Sequence, residues 1–190
     1  MQKQEDALVN RIRKGERKAM EELYNIYAPV LLGVARRYCS RMEEAEDVLH
    51  EALIKVLKGI NDFKPAFDGA FEAWMRRITV NQCLSSMKRN IDFSKTDITL
   101  QEEPFQIDDD SFENNRMYEL TQEEILKMIQ LLPAGYRTVL NLYVFERMSH
   151  KEIAKELNIT ENTSKSQLSK ARSIMRRKLE LMNRTTEAAR

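Results

Sequence analysis

Glycine, proline, cysteine and histidine are all scarce in this chain. Its 190 residues include 5 Gly, 4 Pro, 2 Cys and 2 His. Cys39 and Cys83 have neither metal-ligand spacing nor the pattern of a disulfide framework. They are expected to be buried or inert thiols that stand alone, outside any such motif. His50 and His150 are joined by no Gly-rich phosphate loop, no metal-spaced Cys/His cluster and no G-x-S-x-G elbow. Catalytic residues, a metal site, a cofactor and a small-molecule substrate are therefore not expected, and the chain does not read as an enzyme. No apolar run approaches the roughly 18 residues that cross a bilayer. The opening "MQKQEDALVNRIRKGER" lacks the apolar core of a secretory signal. No direct membrane insertion and a cytoplasmic location are expected. The formal net charge is only +1, so nucleic-acid contact must come from local patches.

What is plentiful is Leu, Met, Glu, Lys and Arg, whose unbranched side chains lose little freedom on a helix. The expected fold is all-α, with two small helical domains joined by a flexible acidic linker. In the first domain (residues 1–92), Met20, Leu23, Tyr24, Tyr27, Leu31, Ala35 and Tyr38 recur at helical spacing. A second helix carries Val48, Leu49, Ala52, Leu53, Val56, Leu57 and Ile60. "NDFKPAFDGA" breaks the pattern with a Pro and a Gly. A third helix follows from near Ala70, completing a three-helix-type bundle. Residues 93–120 lose the periodicity and read as a linker. Residues 101–124 hold nine acidic residues against one basic.

The second domain (121–190) opens on Thr121 and Glu124, spaced as a capping box. Ser149 and Glu152 repeat that device. In "SHKEIAKELNIT", Ile153, Ala154 and Leu157 form an inward stripe, Asn158 suits a left-handed helix end, and Thr160 suits the next cap. Leu168, Ala171, Met175 and Leu179 are expected inward on the following helix. Asn162, Thr163, Lys165, Ser166, Gln167, Ser169, Lys170 and Arg172 are expected outward. From Glu161 to Arg184 there are seven basic residues against two acidic. Capping, turn length and basic face together describe a helix-turn-helix offered to DNA.

Three passages carry a resemblance: "LYNIYAPVLLGVARRYCSRMEEAEDVLHEALIKVL", "FEAWMRRITVNQCLSSMKR" and "LPAGYRTVLNLYVFERMSHKEIAKELNITENTSKSQLSKARSIMRRKL". In that order and spacing they resemble the bacterial RNA polymerase sigma factors, in the small extracytoplasmic-function group of the sigma-70 family. The resemblance implies a region 2 that docks on the polymerase clamp and melts the −10 promoter element. It implies a region 4 that binds the flap and reads the −35 element. By the same resemblance Glu46, Asp47, His50 and Glu51 dock on core polymerase. Lys64, Phe67 and Asp68 belong to a loop that captures a flipped base, and Phe67 is a stacking partner. Arg76, Arg77, Asn81, Lys88 and Arg89 hold the melted strand, although not all five can face it at once. Phe71 and Trp74 are assigned to the core. An anti-sigma factor is an implied further partner, and the acidic linker is expected to imitate nucleic acid in a basic channel of the polymerase.

Three positions depart from the family pattern. Ser164 replaces a usual apolar residue such as Val, which implies looser packing of the recognition helix. Gln167 stands where Arg is frequent, and Leu57 where an aromatic is. The rival expectation is a stand-alone helix-turn-helix regulator whose N-terminal bundle dimerises or senses a ligand. It predicts a dimer that binds duplex DNA tightly without polymerase.

Overall fold

In the computed structural model the described residues are 2–88 and 120–188, with the side chains of 4–88 and 120–182. The expected linker, apart from Leu120, lies outside the described residues, as does Arg89. The chain divides into two compact units, Met1–Asn90 and Ile91–Arg190. Every regular element among the described residues is an α-helix.

Unit 1 has four helices rather than the expected three: α1 (Gln2–Arg13), α2 (Arg17–Tyr38), α3 (Met42–Gly59) and α4 (Ala70–Lys88). The additional α1 buries Leu8, Val9 and Ile12, spaced i, i+1 and i+4, and joins α2 through a turn at Gly15. Gly15 has φ +77°, a conformation that glycine adopts without steric cost. The Arg13 guanidinium donates to the carbonyls of Ile60, at 3.1 Å, and Phe63. It thereby satisfies acceptors where α3 ends and the following loop begins.

Tyr27, Phe63, Phe71 and Trp74 form an aromatic cluster with neighbouring centroids 5.0–6.0 Å apart. Phe71 is 1% exposed and Trp74 half-buried. Gly59 allows α3 to approach this cluster closely, since a Cβ there would meet the Trp74 ring at 3.3 Å. Tyr24, placed on the inward stripe by spacing, is 47% exposed. Cys39 and Cys83 are free and buried, as expected, and their thiols meet inside unit 1. Hydrogen bonding to Cys39, then burial, pushes the Cys83 thiol well up.

Unit 2 comprises α5 (Gln122–Gln130), α6 (Ala134–Val144), α7 (His150–Leu157) and α8 (Glu161–Ala188). Both capping boxes form. Glu124 and Glu152 accept from the amides of Thr121 and Ser149, each at 2.8 Å, while the hydroxyls accept in return. Each hydroxyl also donates to its carboxylate, at 2.8 Å for Thr121 and 2.7 Å for Ser149, and the bonds each carboxylate accepts hold it below the ordinary carboxylate range. Asn158 closes α7 at φ 56°, ψ 47°, the left-handed conformation. Thr160 accepts from the Thr163 amide at 3.0 Å and so opens α8. The core contains Ile129, Leu132, Tyr136, Val139, Leu142, Ile153, Leu157, Leu168 and Ala171. Met175 and Leu179, expected inward, are only half-buried; from 172 to 182 no residue of α8 is fully buried.

Candidate nucleic-acid and polymerase interfaces

The recognition helix presents a narrower face than its composition implies. Asn162, Lys165, Ser166 and Ser169 fall at i, i+3, i+4 and i+7, and so share one side of α8. The first three are exposed and Ser169 is half-buried. Lys170 and Arg172 flank that face. The Lys170 ammonium lies 5.8 Å from the Tyr136 ring centroid and the Arg172 guanidinium 5.7 Å from that of Tyr143. Thr163 is half-buried, its hydroxyl 2.9 Å from that of Thr160. Gln167 is 5% exposed. It sits on the inward side with Ser164, Leu168 and Ala171, so its expected outward placement is corrected. Its position is only one helical step from the exposed Ser166, but that step turns it into the core.

Ser164 is fully buried, yet its site is not left loose. Its Oγ lies 2.9 Å from His150 Nδ1. The His150 ring stacks on Tyr143 at 4.9 Å and 24°. Burial, then the Lys165 and Arg172 charges, hold His150 below its ordinary value, against an opposing pull from Glu161.

On α3, Glu46, Asp47, His50 and Glu51 are all exposed at i, i+1, i+4 and i+5, a single face. Ile54, one turn further along, is 51% exposed and adds an apolar centre to that acidic patch. Spacing excluded it from the inward stripe but assigned it no role. Glu51 also reaches across to α4. The buried Gln82 donates its amide to Glu51 and accepts from Lys55, tying the two helices together.

The loop before α4 exposes Lys64, Phe67 and Asp68, with Phe67 60% exposed. The buried Phe63 and Ala70 hold its two ends, and Gly69 at φ +83° makes the turn into α4. Along α4, Arg77, Asn81 and Lys88 are exposed on one side. Arg76 points elsewhere and pairs with Glu72 at 2.8 Å. The helix separates the expected cations into a shared stripe and one ion pair.

Among the described residues, no group of three or more His, Cys, Asp or Glu could hold a metal ion. No described helix is long and apolar enough to cross a membrane.

Two family descriptions match the chain: Sigma-70 region 2 over residues 23–91 and Sigma-70, region 4 over residues 122–175. Curated relatives match along nearly the full length. The RNA polymerase sigma-H factor of Pseudomonas aeruginosa is 28% identical, covering 94% of this chain and 95% of that protein. The ECF RNA polymerase sigma-E factor of Haemophilus influenzae is also 28% identical, covering 93% and 95%. The ECF RNA polymerase sigma factor SigW of Bacillus subtilis is 25% identical, covering 90% and 94%. The first description spans α2 to α4, with the acidic face and the exposed loop, and the second spans the capped helix-turn-helix. The chain therefore belongs to the sigma-70 family of RNA polymerase sigma factors, in its extracytoplasmic-function group.

Proposed function

We propose that this sigma factor brings core RNA polymerase to a restricted set of promoters through three separate faces. Glu46, Asp47, His50 and Glu51, with Ile54 at their edge, form the docking surface on α3. Lys64, Phe67 and Asp68, with Arg77, Asn81 and Lys88 along α4, engage the opened −10 element. There a flipped base costs a few kcal/mol to unstack and needs a π-face such as Phe67. Asn162, Lys165, Ser166 and Ser169 read the −35 duplex, where amides and cations can bond base edges and hydroxyls and cations can bond phosphates. Lys170 and Arg172 flank that contact. An anti-sigma factor is the proposed second protein partner.

The observation that carries this reading is the co-occurrence of both sigma-70 regions on one chain, each with its face exposed. A stand-alone regulator accounts for α7 and α8 but not for the region 2 match. As an initiation factor, the protein guides catalysis by the polymerase and needs no reactive group of its own.

Size-exclusion chromatography with bacterial core polymerase tests the reading. Stoichiometric co-elution is expected, together with weak binding of duplex DNA by the free protein. A stable dimer that shifts duplex DNA and ignores the polymerase would transfer the case to the stand-alone regulator.

A further inference from the structure

We infer that His150 is a positioning residue for −35 reading: its Nδ1 bond to Ser164 fixes the crossing of the recognition helix over α7. The inference rests on assigning the outer face of α8 to the −35 duplex.

Ser164 is the fourth residue of α8, lies at 0% exposure, and directly precedes Lys165. A hydroxyl buried at that depth needs a partner, because water cannot supply one. The partner comes from the first residue of α7, 2.9 Å away. Helix α7 has eight residues, so His150 stands about 12 Å from the turn that joins the two helices. The turn at Asn158–Thr160 fixes one corner of this arrangement. The His150–Ser164 bond fixes a second point one helical turn into α8. Two such points set the angle at which Asn162, Lys165, Ser166 and Ser169 are presented.

The imidazole is itself held in place. Tyr143 on α6 stacks against it, and Arg172 on α8 lies over the same Tyr143 ring. Tyr143 therefore joins three helices around one ring. Burial first, then the charges of Lys165 and Arg172, lower the proton affinity of His150, and Glu161 opposes them. A neutral ring retains one nitrogen lone pair, and with the proton on Nε2 that lone pair is on Nδ1, facing the Ser164 hydroxyl.

The test uses reconstituted holoenzyme and a duplex that the wild-type holoenzyme selects from a library randomised at the −35 position, with a scrambled duplex as control. His150→Ala is expected to weaken binding of the selected duplex about tenfold, the scale of one hydrogen bond's worth of ordering that DNA binding would then have to supply. Binding of the scrambled duplex and of core polymerase should not change. His150→Asn places an amide near the Nδ1 position and should recover most of the loss. Adding Ser164→Val to His150→Ala removes the stranded hydroxyl without restoring the bond and should not recover it. Selected-duplex binding by His150→Ala at the wild-type level would overturn the inference. So would equal losses on selected and scrambled duplex, failure of His150→Asn to recover, or full recovery by the double variant. If the wild-type holoenzyme selects no −35 sequence, or Lys165→Ala leaves selection intact, the assignment of α8 itself fails and the role of His150 fails with it.

Discussion

The two units solve helix formation differently. Unit 1 uses long helices of 22, 18 and 19 residues in α2, α3 and α4. Neither Glu16 before α2 nor Arg41 before α3 makes a side-chain cap bond. Unit 2 builds α5, α6 and α7 from only 9, 11 and 8 residues. Isolated helices that short are marginal, so local devices matter more. Hydroxyl caps open α5, α7 and α8, and a left-handed Asn closes α7. Long-range burial fixes the helices of unit 1, while nearby side chains fix most of the boundaries in unit 2.

The contrast can be broken most forcefully in the aromatic cluster. Phe71→Ala should cost unit 1 about 3–5 kcal/mol and abolish co-elution with polymerase, as read by urea unfolding and chromatography. A loss below 1 kcal/mol would mean that burial does not dominate there. At the helix starts, Ser149→Ala should cost unit 2 about 1 kcal/mol. Arg41→Ala should cost unit 1 only about 0.3–0.5 kcal/mol, the worth of an exposed pair with Glu44. Equal losses in paired thermal melts would erase the distinction between the units.

For DNA, Lys165→Ala should lower the magnitude of the salt-dependence slope of holoenzyme binding by about 0.9 if it contacts one phosphate. Lys170→Ala should change that slope less, since its ammonium also lies over Tyr136.

The smallest effect is on pH dependence. His150 is depressed below 6.5, so the unfolded chain binds more protons just below that pH. Unit 2 should therefore lose stability as pH falls from about 6.5, and His150→Asn should flatten that decline. Glu124 and Glu152 are depressed below 4.5, so a further loss should begin only as pH falls past that value. Melting temperatures from about pH 2 to about pH 7 check both steps.

The same contrast explains what could be read in advance. Thr121, Ser149, Asn158 and Thr160 act within three or four residues, so spacing alone disclosed their roles. The meeting of Cys39 and Cys83 is a long-range event that no local pattern carries. The same holds for Arg13 reaching Ile60 and Phe63, and for Gln82 bridging Glu51 and Lys55. α1 escaped notice because three apolar residues in a polar segment give a weak period. Gln167 was misplaced because it stands beside outward-facing residues, and burial depends on where α6 and α7 pack. Of the candidate faces, the acidic side of α3 and the outer side of α8 were legible from helical spacing. The separation of Arg76 from Arg77, Asn81 and Lys88 follows from the same spacing, and the structure adds its partner, Glu72.

The hydrogen bonds from Arg13 also affect how this protein can be cut and recombined. The region 2 match begins at residue 23, after α1. A chimera or truncation drawn at that boundary would discard the side chain that anchors the exit of α3, together with four residues of the core, Leu8, Val9, Ile12 and Ala19. The exposed loop that carries Lys64, Phe67 and Asp68 starts at that anchor. The portable module accordingly begins at α1, and a swap that respects this boundary should transfer the loop in its working shape.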